Sequence, residues 1–278
     1  MAGQSGTAPV RERMRSAIVE LFPQNFWQAY SKTRTAMHIG WKDSSRLAKA
    51  AKEKPGELWE FHIPGISSPV FVRTGSTDAD ILEACLVRKY YAFLKPASPV
   101  RFIIDAGANA GYSALFFLEQ YPDAVVVALE PDPENYEVAR QNLQSYGKRC
   151  HLLKQAIWPS QTRLLLKRSD RHDATQVSEE SDGEDHCASI DPLTILTMFN
   201  QERISLFKCD IEGAEEKLFF EDSDRWLEKT DNVAIEIHGE KAHQIVYGAM
   251  RRHPFESDFD HDLHYFKRTI SSNRHTAR

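Results

Sequence analysis

The chain reads as an α/β protein, a doubly wound sheet with helices on both faces and a helical and hairpin cap at its N-terminal side. Three stretches predict this. In RFIIDAGANAG (101–111) the apolar run Phe102, Ile103, Ile104 passes through Asp105 to Gly107 and Gly111, and the helical pattern YSALFFLEQY follows. That is the order strand, tight turn, helix. A second run, DAVVVALE (123–130), brings Glu130 about 20 residues beyond the turn, where a βαβ unit places the acid that grips a ribose hydroxyl. In RISLFKCDIEGAEEKLFF (203–220) a further strand ends at Asp210, and Gly213 and Ala214 open another helix.

The glycines at 107 and 111 allow the backbone to turn sharply and let a ligand approach without a Cβ in the way. The spacing GANAG lacks the third glycine of GxGxxG, the pattern that cradles a pyrophosphate. Such a turn suits a nucleoside without a diphosphate, such as S-adenosylmethionine. Asp105, Gly107, Gly111 and Glu130 are therefore candidate cofactor residues, a purely structural turn being the alternative.

With 278 residues, the chain has room for one substantial core plus appendages. Its 41% hydrophobic and 27% charged content is that of an ordinary globular protein, and a net charge of −5 gives no reason to expect nucleic acid as a partner. Cys85, Cys150, Cys187 and Cys209 show no CxxC spacing, which favours reduced thiols in a cytoplasmic protein over a disulfide framework or zinc site. No apolar run reaches the length of a membrane span, and no signal-peptide core is evident.

Three parts are expected: a basic helical extension over 1–60, a hairpin and helix over 61–99 that cap the cofactor site, and a catalytic domain over 100–278. Residues 1–9 read as a polar tail, and 10–22 as an amphipathic helix. Residues 1–60 hold ten Lys/Arg against six Asp/Glu. This basic face is either a packed cap or a docking surface for an acidic partner or substrate. WEFHIPGISSPVFVR (59–73) predicts a hairpin, and a helix follows with Thr77 or Asp78 as its cap. Arg73 and Asp78 are read as capping and surface charge.

Beyond Glu130, DPENYEVARQNLQSY (132–146) predicts a helix with an acidic start. CHLLKQAIW (150–158) is then a third strand, bringing Gln155 and Ala156 to the base of the ligand. RLLLKRSD (163–170) is an added strand, and ATQVSEESDGEDHC (174–187) a flexible acidic loop. DNVAIEIH (231–238) is a fifth strand in which Glu236 and His238 interrupt an apolar run and share a face. Charge inside a central strand is costly without partners, so these two are candidate functional groups, with a hydrogen-bonded pair at the strand's solvated end as the alternative. EKAHQIVYGAMRRH (240–253) reads as a helix, and LHYFKRTI (263–270) as a final strand. His253, His261 and His264 lie among Asp258, Asp260 and Asp262 without a compact ligand spacing, so this stretch reads as a solvated loop rather than a metal site.

Taken together, FIIDAGANAGYSALFF, VVALEPDPENYEVARQNL, ASIDPLTIL, LFKCDIEGAEEKLF and VAIEIH resemble the FkbM family of S-adenosylmethionine-dependent methyltransferases. The resemblance runs from about residue 61 to 238 and is most specific at KCDIEGAE (208–215). It implies a Rossmann-like seven-stranded methyltransferase sheet, parallel except for its last strand. It also implies that Asp105, Gly107, Asn109, Gly111 and Glu130 hold the cofactor, and that the acceptor is a hydroxyl of a sugar, glycan or natural product.

An alcohol nucleophile needs a general base, or a metal that lowers its pKa. Asp210, Glu236 and His238 gather at the expected strand ends. Either His238 or Asp210 acts as base without a metal, the favoured version, or all three bind a divalent cation such as Mg²⁺. An NAD(P)-dependent oxidoreductase and a non-catalytic nucleoside-binding module are the alternatives. A homo-oligomer is left open.

Overall fold

The computed structural model describes residues 24–167, 175–179 and 183–269. The predicted tail and first amphipathic helix, and part of the acidic loop, lie outside the described residues. The described chain begins with helices α1 (Gln24–Ile39) and α2 (Trp41–Ala50), followed by the antiparallel hairpin of β1 (Leu58–Phe61) and β2 (Val70–Arg73). Helix α3 (Asp78–Leu82) runs on into a π-helical turn, Glu83–Val87, and a 3₁₀ turn, Tyr90–Phe93.

The glycine-turn unit forms as its apolar pattern predicts, with β3 (Phe102–Ala106), α4 (Tyr112–Gln120), β4 (Val125–Leu129) and α5 (Pro133–Leu143). Asp132 caps α5 by accepting from the amides of Glu134 and Asn135, and Pro133 occupies the first helical position. Next come β5 (Cys150–Leu153), β6 (Gln155–Ile157), β7 (Arg163–Lys167), β8 (Gln176–Ser178), β9 (His186–Ile190) and α6 (Pro192–Met198). The remainder is β10 (Leu206–Cys209), α7 (Glu215–Phe220), α8 (Ser223–Leu227), β11 (Asn232–Glu236), α9 (Glu240–Met250), β12 (Phe255–Asp260) and β13 (Leu263–Arg268).

Seven strands form the central sheet in the order β12-β13-β11-β10-β3-β4-β5. β13 is antiparallel to both of its neighbours and is the one reversed strand; the pairs β11–β10, β10–β3, β3–β4 and β4–β5 are parallel. The expected sheet, parallel except for its last strand, is what forms. Alternation along β3 and β4 divides the core. Ile103 and Val126 pack with α4 and the cap on one face, while Phe102, Ile104, Val127 and Leu129 pack with α6 to α9 on the other. Full burial of each such side chain contributes about 1.5–3 kcal/mol.

Three expectations are corrected. The run CHLLKQAIW splits, so that only β5 joins the central sheet, and β6 pairs in parallel with β9 in a separate four-stranded sheet, β6-β9-β7-β8. The acidic 174–187 stretch is not wholly loop, because it supplies β8 and the start of β9, and Val177 and Cys187 pack in a small core around Trp158, Leu164 and Leu166. The stretch read as a solvated loop around Asp258 to His264 is the β12–β13 hairpin.

All four cysteines are free thiols, three of them buried. Among the described residues, no helix is long and apolar enough to cross a membrane.

Candidate active site

The carboxyl ends of β3, β4, β10 and β11 meet at the glycine turn. The amides of Gly107 and Ala108 both donate to the Leu129 carbonyl, at 3.1 and 2.9 Å, and the Asp210 amide donates to the Ala106 carbonyl at 3.1 Å. Gly107 has φ +75, and a Cβ there would lie 1.8 Å from the Asp210 carbonyl oxygen. No other residue fits between these strand ends. Asn109 also adopts a left-handed conformation, φ 49, which asparagine tolerates better than most residues.

Gly111 also answers a packing constraint. It precedes α4 at φ +89, and a Cβ would meet the Leu143 side chain at 3.2 Å and Ala139 Cα at 3.3 Å, so its space lets α4 lie close to α5.

Glu130 is buried beside this turn. Its Oε2 accepts from the Asn109 amide at 2.8 Å and its Oε1 from the Asp132 amide at 2.9 Å. Burial pushes its carboxyl up to about 7, against the pull of those two amides. Glu130, Asn109, Gln155, Ala156, Leu129 and Ile157 line a cavity of about 60 Å³. A cleft of about 700 Å³ lies alongside, and both share Gly107, Asn109, Asp210 and Glu212. Glu130 thus offers a carboxylate, and Leu129, Ala156 and Ile157 apolar walls, a donor set of the kind that fits the ribose and base of S-adenosylmethionine.

Asp105 stands one layer behind, fully buried and lining neither space. It accepts from Ser113 Oγ at 2.7 Å and lies 3.3 Å from Lys208 Nζ. Lys208, 2% exposed, donates to the Gly107 carbonyl at 2.6 Å and lies 4.0 Å from Asp210. Burial opposes its charge, yet Asp105, then Asp210 and Glu236, hold its ammonium above the ordinary value. Asp105 is pushed up by burial, opposed by Lys208 and Ser113. Lys208 thus ties the carbonyl of the glycine turn to the carboxylates on both sides.

Asp210, Glu236 and His238 do come together, each offering a ligand atom within 4.8 Å of the others, the one such group of three among the described residues. Their settings differ. Asp210 and Glu236 line the large cleft, together with Tyr90. Burial, and then Asp210, push Glu236 up to about 7, while Lys208 and His238 oppose the shift. His238 lines neither space. Its Nδ1 lies 3.0 Å from Glu215, and its Nε2 is 3.9 Å from Asp210 and 3.7 Å from Glu212. The contact with Glu215 raises His238 to about 9.

Sequence reasoning assigned no role to Lys208, Glu212, Glu215 or Tyr90. A signal for Lys208 existed: it is a charge inside the apolar strand LFKC, the same criterion that singled out Glu236.

Arg73 and Asp78, read as capping and surface charge, form a buried fork, with Arg73 Nε on Asp78 Oδ2 at 2.9 Å and Nη2 on Oδ1 at 2.7 Å. Asn142 clips the hairpin to the site. It accepts from the Phe71 amide at 2.7 Å and donates to the carbonyls of Phe71 and Ala110, at 3.2 and 2.8 Å. Of the C-terminal histidines, His253 lies 2.8 Å from Asp224, and His264 shares a 2.9 Å hydrogen bond with Tyr247.

A mostly parallel sheet with one reversed strand near its edge, and a glycine turn and buried acid at its strand ends, defines an α/β protein of methyltransferase architecture. The family model for the methyltransferase FkbM domain matches residues 105–267, and the chain belongs to that family. It is similar to Methyltransferase 1 of Beauveria bassiana (strain ARSEF 2860), 23% identical over 163 residues, which are 49% of this chain and 64% of that protein. It is also similar to Methyltransferase sdnD of Sordaria araneosa, 27% identical over 176 residues, which are 51% of this chain and 67% of that protein. The crystal structure of Methyltransferase FkbM from Methylobacillus flagellatus KT superposes with a TM-score of 0.47 at 16% identity, covering 69% of this chain and 53% of the other. The match therefore spans less than two thirds of the first fungal relative and about half of the bacterial structure.

Proposed function

We propose that the protein is an S-adenosylmethionine-dependent O-methyltransferase acting on a hydroxyl of a sugar, glycan or natural product. The observation that supports it best is the meeting of a nucleoside-shaped donor set, Glu130 with Asn109 and Gly107, and two cleft-facing carboxylates, Asp210 and Glu236, across one turn. The cofactor, when bound, supplies an electrophilic methyl group on a sulfonium.

The chain's own residues do the rest. Glu130 accepts the ribose hydroxyls, and Gln155, Ala156 and Ile157 wall the base. The half-buried turn of Gly107 and Asn109 lines both spaces and lets the ligand lie against the backbone. Asp210 and Glu236 face the side from which an acceptor enters, and their negative charge complements a sulfonium. Methyl transfer is an in-line displacement, so much of the acceleration comes from holding the acceptor oxygen on that line. Glu236 takes the hydroxyl proton, because it faces the cleft beside Tyr90. His238 is held away from the cleft by Glu215 and acts by positioning Asp210 and Glu212.

A second reading has its own support. The convergence of Asp210, Glu236 and His238 can hold a divalent cation, and the Glu215 contact orients His238 as a carboxylate commonly does behind a metal-bound histidine. Calorimetry with S-adenosylhomocysteine, S-adenosylmethionine and NAD(H), with and without Mg²⁺, tests both. Micromolar binding of the sulfur nucleosides, weakened in Glu130→Ala, is expected. Binding of NAD(H) alone, or of nothing, would overturn the proposal, and binding strengthened by Mg²⁺ would favour the metal version.

A further inference from the structure

The large cleft is asymmetric in charge. On the cap side it is lined by three cations, Arg34 from α1 and Arg88 and Lys89 from the segment between the π-helical turn and the 3₁₀ turn, and by one acid, Asp80 of α3. All three are exposed, and Arg34 reaches across to donate from Nη2 to the Arg88 carbonyl at 3.3 Å. Among the described residues, neither Arg34 nor Lys89 has a carboxylate within 4.0 Å, and Arg88 has only the marginal contact with Glu83 at that distance. The field of this ledge is felt nearby: after burial, Lys89 and then Arg34 lower the pKa of His38. The β12–β13 hairpin also lines the cleft, with Asp260, His261 and Asp262.

The backbone of the ledge is unusual as well. Glu83–Val87 is π-helical, a form that appears mostly as single turns, often at functional sites, and Lys89 is held at φ 56. None of the three cations lies within the family match at 105–267, so the ledge is built by this chain's own cap.

We infer that Arg34, Arg88 and Lys89 form an anion subsite that seats a carboxylate or phosphate group carried by the methyl acceptor. This deepens the methyltransferase reading, on which it rests. Guanidinium and ammonium groups give charge-assisted bonds to such anions, and the acids that line the cleft elsewhere, Asp210, Glu236, Asp260 and Asp262, repel an anion, which favours seating it on the ledge. Tyr90 follows Lys89 directly in the chain and shares the cleft with Glu236. An anion on the ledge therefore directs the uncharged, hydroxylated end of the acceptor toward Glu236 and Asp210. The excess of basic residues before residue 61 has at least one use here, through Arg34.

The test is saturation-transfer NMR and calorimetry on the full chain with S-adenosylhomocysteine present, using glucose, glucose 6-phosphate and glucuronate as probes. At least one of the two anionic sugars is expected to bind about tenfold or more tightly than glucose. Which one does so distinguishes a phosphate-bearing from a carboxylate-bearing acceptor. The Arg88→Gln/Lys89→Gln variant should erase that preference while its melting temperature and S-adenosylhomocysteine affinity remain those of the wild type. Binding no tighter than that of glucose, no binding of either anion, or a preference that survives in the variant would overturn the inference. The same titrations run without nucleoside separate the two readings. Failure of S-adenosylhomocysteine to bind counts against the methyltransferase proposal alone, whereas the anion result stands or falls independently.

Discussion

Lys208 offers the sharpest test of how the site is held. Its ammonium is 2% exposed, lies 3.3 Å from Asp105, and donates to the Gly107 carbonyl at 2.6 Å. Lys208→Met keeps the length of the stem and removes the charge, leaving Asp105 buried with only Ser113 as a side-chain donor. Removing one partner of a buried pair costs about 3–5 kcal/mol, because the other charge is left uncompensated. That is a large part of a folding free energy of about 5–15 kcal/mol. At roughly 2–4 °C per kcal/mol for a chain of this size, the melting temperature should fall by roughly 6–20 °C.

Urea unfolding followed by tryptophan fluorescence measures the loss. The same titration on Asp105→Asn and on the double variant completes a cycle. The double variant should be less destabilised than the sum of the singles by at least about 2 kcal/mol, since it no longer buries a lone charge. S-adenosylhomocysteine affinity should also fall in Lys208→Met, because the Gly107 carbonyl loses its anchor. A cost below about 1 kcal/mol, or strict additivity, would refute the view that this pair organises the strand ends.

Gly107→Ala places a methyl group 1.8 Å from the Asp210 carbonyl, whereas Gly111→Ala meets mainly the movable Leu143 side chain at 3.2 Å. Circular-dichroism melts should therefore show the first losing more stability, by at least about 1–3 kcal/mol, together with nucleoside binding. The Glu130 carboxyl is raised from 4.5 to about 7, so its burial favours the free protein most below its unfolded value, and that contribution is lost as pH rises through about 7. Ribose hydroxyls donate to the ionised form, so calorimetry should find S-adenosylhomocysteine binding tighter from about pH 6 to about pH 8, with no such trend in Glu130→Gln. Asn142→Leu strands the Phe71 amide and the Ala110 carbonyl at a cost of about 1–3 kcal/mol each; hydrogen exchange should quicken in β2 while β3 and β4 stay protected.

The central sheet was legible because its strands are short, apolar and fully buried, and because Gly107 and Asp132 mark a turn and a cap with local chemistry. Glu130, Asp210 and Glu236 were legible for a related reason: an acid at the end of an apolar strand has to be there for a cause. What sequence could not resolve depends on distant partners. Gly111 and Gly107 look alike in GANAG, and only the approach of α5 to one and of Asp210 to the other separates their roles. Nothing local in the sequence announces that Asp105 is paired with Lys208, 103 positions away. FESDFD (255–260) lacks the apolar density of a buried strand, because β12 lies at the sheet's edge and most of it is exposed. Arg73 and Asp78 read as surface charge because nothing local announces that the fold closes over them.

The composition of β12 bears on how the molecule avoids its own copies. An edge strand exposes unpaired backbone donors and acceptors, a template on which another strand can grow. Here Glu256, Asp258 and Asp260 recur at every second position and so project from one face of the outermost strand. A second molecule docking edge to edge would bring a matching row of carboxylates against them, with no lysine or arginine in the strand to neutralise either row. The acids that obscured this strand in the sequence thus stand as a guard rail, a charge that opposes growth of the sheet along that edge.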